Sequence, residues 1–211
     1  MEDSTTYDDK TVQCQELFRS IADGDDAAIA ALYRLYHTRL FTYGGKIVGL
    51  DFEEEIKDVI QEFFLWLAQN FTKAANIAEP EAYLFQSIRR NLLSRLGNQA
   101  ESRAAQDRFI QRTEPLQDQA TISPEELLIQ GEESHDRQEL LQRELDKLPA
   151  YQKEVLFLRY YEGLSYKEIS SIMAVSDQVA RNYAQRALQR LKQQLGNLKI
   201  FILLILILIA S

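Results

Sequence analysis

Apolar residues recur at spacings of three and four along nearly the whole of this 211-residue chain, and no stretch alternates with period two. A helix that buries one face shows the first pattern and a half-buried strand the second. The expected fold class is therefore all-α. Glycine and proline are scarce, 8 and 4 residues, so little interrupts long helices. Leu32, Leu35, Tyr36, Leu40 and Tyr43 form one such stripe and are expected to be core. Asp51 followed by Glu54 has the spacing of a capping box, which predicts a helix from there to about Asn70. Pro80 suits a first helical position and opens a helix toward Gln99 or beyond.

Several kinds of chemistry are absent. Cys14 is the single cysteine, which excludes an internal disulfide and a cysteine-rich metal site. His37 and His135 lie far apart, and no nucleophile sits in a catalytic motif. No enzyme activity, cofactor or metal is expected. The opening MEDSTTYDDK is acidic and polar, unlike a secretory signal, so the expected location is cytoplasmic.

The formal net charge is -8, but it is segregated. Between Glu114 and Asp146 stand ten acids against Arg137 and Arg143. From Ile88 to Arg112 there are six arginines against two acids, and from Arg181 to Lys199 five bases and no acid. A phosphate responds to the local field rather than to the sum. Composition and punctuation divide the chain. Residues 1–12 read as a disordered tail and 13–110 as a helical domain. Residues 111–138 read as an acidic linker carrying Pro115, Pro124 and Gly131, and 139–196 as a second, smaller helical domain. Residues 197–211 form an apolar tail after the stop signal Gly196-Asn197.

The second domain has the layout of a helix-turn-helix. Pro149 begins a helix with Val155, Leu156 and Leu158 inward, and Gly163 ends it. Ser165, with Glu168 three residues on, is placed to cap the next helix, which turns Ile169 and Ile172 to the core. Ala174-Val175 makes the turn, where glycine is common, and Ser176 caps the last helix. Val179, Tyr183 or Ala184, and Leu188 are expected on its inner side. Asp177, Gln178, Arg181, Asn182, Gln185 and Arg186 are left facing out. Arginine suits guanine and phosphate, glutamine and asparagine suit adenine, and the second helix of such a motif fits the DNA major groove.

Upstream, Asp58 to Leu67 reads DVIQEFFLWL. Asp58, Gln61 and Glu62 share one helical face, while Val59, Ile60, Phe63, Trp66 and Leu67 largely cover the other side. Spacing alone leaves that polar face either solvated or a docking surface. Together with AYLFQSIRRNLLSRL (Ala82 to Leu96) and the downstream helix-turn-helix, this block resembles the sigma-70 family of bacterial transcription initiation factors, in the short extracytoplasmic-function form. The likeness spans roughly 13–100 and 140–195. It implies a region 2-like bundle and a region 4-like helix-turn-helix joined by the acidic linker. It implies core RNA polymerase as partner, through the β′ clamp helices and the β flap, with Asp58, Gln61 and Glu62 in the segment that meets the clamp. It implies promoter DNA as the second partner, both duplex and non-template single strand. Arg89, Arg90, Asn91 and Arg95 then meet the -10 element. Gln178, Arg181, Asn182, Gln185 and Arg186 read the -35 element. The loop Asn70 to Glu79 corresponds to one that captures an extruded base, and the acidic linker to a segment near the RNA path. Tyr83 stands where many relatives have tryptophan, and Tyr183 where a basic residue is common.

The family does not account for Ile200 to Ala210, IFILLILILIA. Eleven residues make a helix of about 16 Å, too short for a hydrocarbon core of about 30 Å. Each large side chain gains about 1.5–3 kcal/mol on burial, so the tail needs shelter. The chain's own domains, a second copy, an anti-sigma factor and peripheral contact with a membrane are the alternatives.

Overall fold

The computed structural model describes residues 3–97 and 143–195. The acidic linker 111–138, with His135, the stop at Gly196-Asn197 and the apolar tail lie outside the described residues. All regular structure among the described residues is helical, in agreement with the all-α expectation. Two compact units are present, residues 1–100 with 167–175, and residues 101–166 with 176–211.

The first unit is built from α1 (Asp3–Ala22), α2 (Asp26–Val48), α3 (Glu53–Gln69), the short α4 (Phe71–Ala74) and α5 (Pro80–Leu96). α1 begins at Asp3, where a disordered tail through residue 12 was expected. Cys14, Phe18 and Ile21, at helical spacing, are all buried and anchor it. No glycine or proline precedes them to stop the helix propagating back toward the N-terminus. The chain then reverses at Gly24, φ 88°, where the Asp25 amide donates to the Ser20 carbonyl (3.0 Å) and the Gly24 amide to Ile21 (2.9 Å). This is a Schellman cap with glycine in the left-handed position. The Asp25 carboxylate accepts from the Ala27 amide at 2.8 Å and starts α2.

α2 is the central helix and packs against α1, α3 and α5. Leu32, Tyr36, Leu40 and Tyr43 are fully buried, as the stripe predicted, while Leu35 is only half-buried. Gly44 lies at a close approach of α2 to its neighbours: a Cβ there would stand 2.7 Å from Ile56 Cγ2 and 3.3 Å from Leu92 Cδ1. The expected capping box at Asp51 is not formed. A 3₁₀ turn, Leu50–Phe52, takes up Asp51, and α3 starts at Glu53 with no side-chain cap. Three glutamates in the first turn of α3 suit the positive end of the helix dipole instead. Pro80 opens α5 as expected.

One polar cluster ties α1, α2 and α5 together. Glu81, in the first turn of α5, is 3% exposed. Its carboxylate accepts from Arg39 Nη2 (2.7 Å), Tyr36 Oη (3.1 Å) and Thr11 Oγ1 (3.1 Å). A buried carboxylate is tolerated when paired and hydrogen-bonded in this way.

The remaining helices are α6 (Ala150–Leu156), α7 (Tyr166–Met173) and α8 (Asp177–Leu195); α6 and α8 belong to the second unit, and α7, except for Tyr166, to the first. α6 follows Pro149 and widens into a π-helical turn, Phe157–Tyr161, in which the Glu162 amide donates to the Phe157 carbonyl at 3.0 Å. Gly163, φ 68°, ends this helix as expected. α6 packs against α8, with the Tyr151 and Tyr183 rings 4.5 Å apart. The buried side of α8 is Ala180, Tyr183, Ala184, Ala187 and Leu191. Val179 and Leu188, expected inside, are half-exposed. Three alanines are thus among the inner residues of α8.

Candidate nucleic-acid and polymerase interfaces

On α3 the amphipathic division sets the first surface. Ile56, Val59, Ile60, Phe63, Phe64 and Leu67 are buried, and Asp58, Gln61 and Glu62 stand exposed together on the opposite side. On the first turn Lys57 pairs with Glu53 (2.6 Å) and Glu54 (3.0 Å). Those contacts raise the lysine's pKa above its ordinary value, chiefly through the bond to Glu53. They leave Asp58 and Glu62 to a different cation. Arg95, from the last turn of α5, reaches across to Glu62 at 2.5 Å and to Asp58 at 3.6 Å.

The second surface lies along α5. Arg90 is exposed, Arg89 and Asn91 are half-buried, and Leu84, Phe85, Ile88 and Leu92 hold the helix to the core. Arg95, predicted with this group, is therefore shared with the acidic face of α3. Between α3 and α5 a recess of about 330 Å³ is lined by Glu62, Phe63, Trp66, Tyr83, Ser87, Arg90 and Asn91. Phe63 lies 6.3 Å from Trp66 and 6.1 Å from Tyr83, ring centre to ring centre. Lys73 stands 5.7 Å over the Trp66 ring and donates to the Asn70 side chain at 2.8 Å. Trp66 and Ser87 line the recess but were not among the residues expected at a site. Trp66 was assigned to the covered side of α3, yet it is half-exposed. The available signal was its place three and four residues after Phe63 and Glu62, on the edge between the two faces.

In the helix-turn-helix, Ala174 adopts φ 54° and repeats the hydrogen bonds of the Gly24 turn: Val175 N–H donates to Ser170 (3.0 Å) and Ala174 N–H to Ser171 (3.4 Å). Ser176 Oγ accepts from the Val179 amide at 3.3 Å, the cap expected for α8. Gln178, Arg181 and Gln185 are exposed, and Asn182 and Arg186 half-exposed. Gln178 donates to Asn182 (3.0 Å), and Arg181 pairs with Asp177 (3.1 Å) while stacking over the Tyr166 ring at 4.7 Å. Arg159 stacks on the same ring at 5.1 Å. These contacts fix the direction of Arg181 before any ligand arrives. Tyr183, noted for its unusual place on the reading helix, is buried against Tyr151 and belongs to the core.

Residues 138–191 match the protein-family profile described as sigma-70, region 4. The chain is also similar to RNA polymerase sigma factor SigV of Bacillus subtilis (strain 168), 23% identical over 143 residues, which covers 68% of this chain and 77% of the relative. Over residues 138–191 the chain is thus similar to sigma-70 region 4, and its longer likeness is to a sigma factor. The region 4 segment contains α6, α7 and most of α8, and with them every residue named for the -35 element. The likeness to SigV is much longer than region 4 and so extends to residues outside it. Among the described residues no His, Cys, Asp and Glu gather as a metal site, and no helix is long and apolar enough to cross a membrane.

Proposed function

We propose that this chain is a sigma factor of the extracytoplasmic-function group, which recruits core RNA polymerase to promoters with distinct -35 and -10 elements and helps to separate their strands. In this reading residues 13–110 act as region 2 and 139–196 as region 4, in the cytoplasm. Asp58, Gln61 and Glu62 dock on a basic surface of the β′ clamp, and region 4 meets the β flap. Gln178, Arg181, Asn182, Gln185 and Arg186 read the -35 duplex in the major groove. Arg89, Arg90, Asn91 and Arg95 meet the -10 element as its non-template strand comes free.

The observation that carries the melting step is the aromatic recess between α3 and α5 with Arg90 and Asn91 beside it. Extruding a base costs a few kcal/mol. Stacking on an aromatic side chain returns about 1–3 kcal/mol per base, and only to an unstacked base. A groove that offers ring faces, a phosphate-seeking guanidinium and an amide therefore favours the open strand over duplex. Region 4 adds about 1–3 kcal/mol of discrimination for each good bidentate base contact. Simultaneous contact to both elements multiplies affinity only when their spacing is held, which the polymerase does.

Run-off transcription by core polymerase over a promoter library tests this. The wild-type chain is expected to select a subset of promoters. Arg181→Glu with Gln185→Ala should abolish -35 selectivity, and Trp66→Ala with Arg90→Glu should stall opening on duplex templates while a pre-melted bubble restores it. Unchanged transcript yields from all variants would overturn the assignment.

A further inference from the structure

Arg95 of α5 bridges Asp58 and Glu62 of α3. We infer that Arg95 is a latch between the polymerase-docking face and the strand-binding face, closed in the free chain and opened by docking. The inference rests on the two surfaces proposed above and adds a coupling between them.

The geometry is specific. Asp58 and Glu62 stand one helical turn apart on α3, and the single Arg95 guanidinium, offered by α5, meets both, at 3.6 and 2.5 Å. Arg95 is the C-terminal member of the α5 cationic group, and Glu62 also lines the recess that contains Arg90 and Asn91. While the bridge is closed, Arg95 is neutralised toward a phosphate and the two carboxylates are partly neutralised toward a basic partner. A basic partner that takes the carboxylates must displace the guanidinium, which is then free at the edge of the strand surface. The reverse holds as well, because coupling between two binding events is reciprocal. The side chains are accessible, 35% for Arg95, 65% for Asp58 and 61% for Glu62, so water and ligand can exchange with the bridge. Exposed pairs of this kind are weak, which makes the bridge easy to open and sets the coupling at about two- to fivefold in affinity. The free sigma factor thereby holds back one strand contact until it is in place on the enzyme.

A double-variant cycle on the full chain reads the latch directly, using a fluorescent mixed-sequence single-stranded DNA at low salt with no polymerase present. Arg95→Gln in the wild-type background should change affinity little, because the guanidinium is already engaged. Asp58→Asn/Glu62→Gln should tighten binding, and Arg95→Gln in that background should lose about two- to fivefold. Asp51→Asn/Glu55→Gln removes the same charge from the same region, and there Arg95→Gln should again do little. If Arg95→Gln has the same effect in all three backgrounds, the latch is refuted. Arg90→Gln separates that result from failure of the surface itself. A loss with Arg90→Gln and no Arg95 coupling leaves the strand surface standing without a latch. No response to either arginine in any background overturns both. None of the substituted side chains is buried, and unchanged helicity and melting confirm that binding alone is being read.

Discussion

Glu81 is the residue on which the first unit should depend most. Its carboxylate is 3% exposed and is the common acceptor for Arg39, Tyr36 and Thr11, so it joins α5 to α2 and α1. Glu81→Gln keeps the shape and still offers an oxygen to the two hydroxyls. What it removes is the counter-charge of Arg39, whose side chain is only 15% exposed and also lies 4.7 Å over the Tyr36 ring. Breaking a buried pair from one side costs about 3–5 kcal/mol, because the remaining charge is left without its partner. The residual exposure of Arg39 lets water relieve part of that, which places the cost near the low end, about 3 kcal/mol. For a unit of this size, that lowers the melting midpoint by roughly 12–24 °C. Trp66 is the chain's one tryptophan and sits in the same unit, so its fluorescence follows this transition without interference from elsewhere. Arg39→Met combined with Glu81→Gln removes both charges and should be clearly more stable than the sum of the two single losses. Strictly additive losses, or a shift with Glu81→Gln alone worth less than about 1 kcal/mol, would refute the argument that a compensated buried charge holds the unit together.

Two further outcomes follow from local geometry. Ala174→Gly relieves a left-handed alanine, a conformation that costs about 1–2 kcal/mol, against about 0.4–1 kcal/mol for glycine's freer unfolded state. The helix-turn-helix should gain about 0.5–1 kcal/mol, seen as a higher midpoint in a far-ultraviolet circular dichroism melt. Burial pushes the Cys14 thiol from its ordinary value near 9 up to about 12, a rise only partly offset by its hydrogen bond with Tyr36. The folded chain therefore holds a proton that the unfolded chain releases above pH 9. Stability from this group is full below pH 9 and is lost as pH rises from 9 toward 12. Cys14→Ala should flatten that alkaline loss in urea titrations, and in the wild-type chain a thiol reagent should react only as the chain unfolds.

The parts legible in the sequence are those set by neighbours along the chain. The stripe of α2, the proline start of α5, the serine cap of α8 and the turn at Ala174 each depend on a few consecutive residues. The same holds for the polar face of α3, which three positions on one helix define. The parts that were not legible depend on partners far away. Glu81 looks like an ordinary helix-start acid until Tyr36 and Arg39, 45 and 42 residues earlier, are brought against it. Arg95 looks like one more DNA-facing arginine until α5 is laid beside α3 and Glu62 takes it. The inner side of α8 was legible only in part: Tyr183 and Ala184 lie inside as expected, but Ala180 and Ala187, weak hydrophobic signals, stand there in place of Val179 and Leu188. At the start of α3, a good capping pair was overruled because the chain leaves α2 through the 3₁₀ turn that occupies Asp51.

Stability and function are therefore carried by different sides of the same helices. α3 spends its inner side on Ile56, Ile60 and Leu67 and keeps Asp58, Gln61 and Glu62 outside, and α5 divides in the same way between Ile88 and Arg90. A surface charge contributes little to folding, within about 0.5 kcal/mol in most settings, whereas a core position contributes several. Substitutions at the proposed docking and strand-binding residues should thus change binding with the melting curve in place. Arg95 is the informative exception in kind: it is a surface residue by exposure, but it is held by two others, so its effect on DNA should depend on what Asp58 and Glu62 are doing. A single-residue scan would rank Arg95 as unimportant in the free chain and important on the polymerase. That change of rank, rather than either value alone, distinguishes a coupled pair of surfaces from two independent ones.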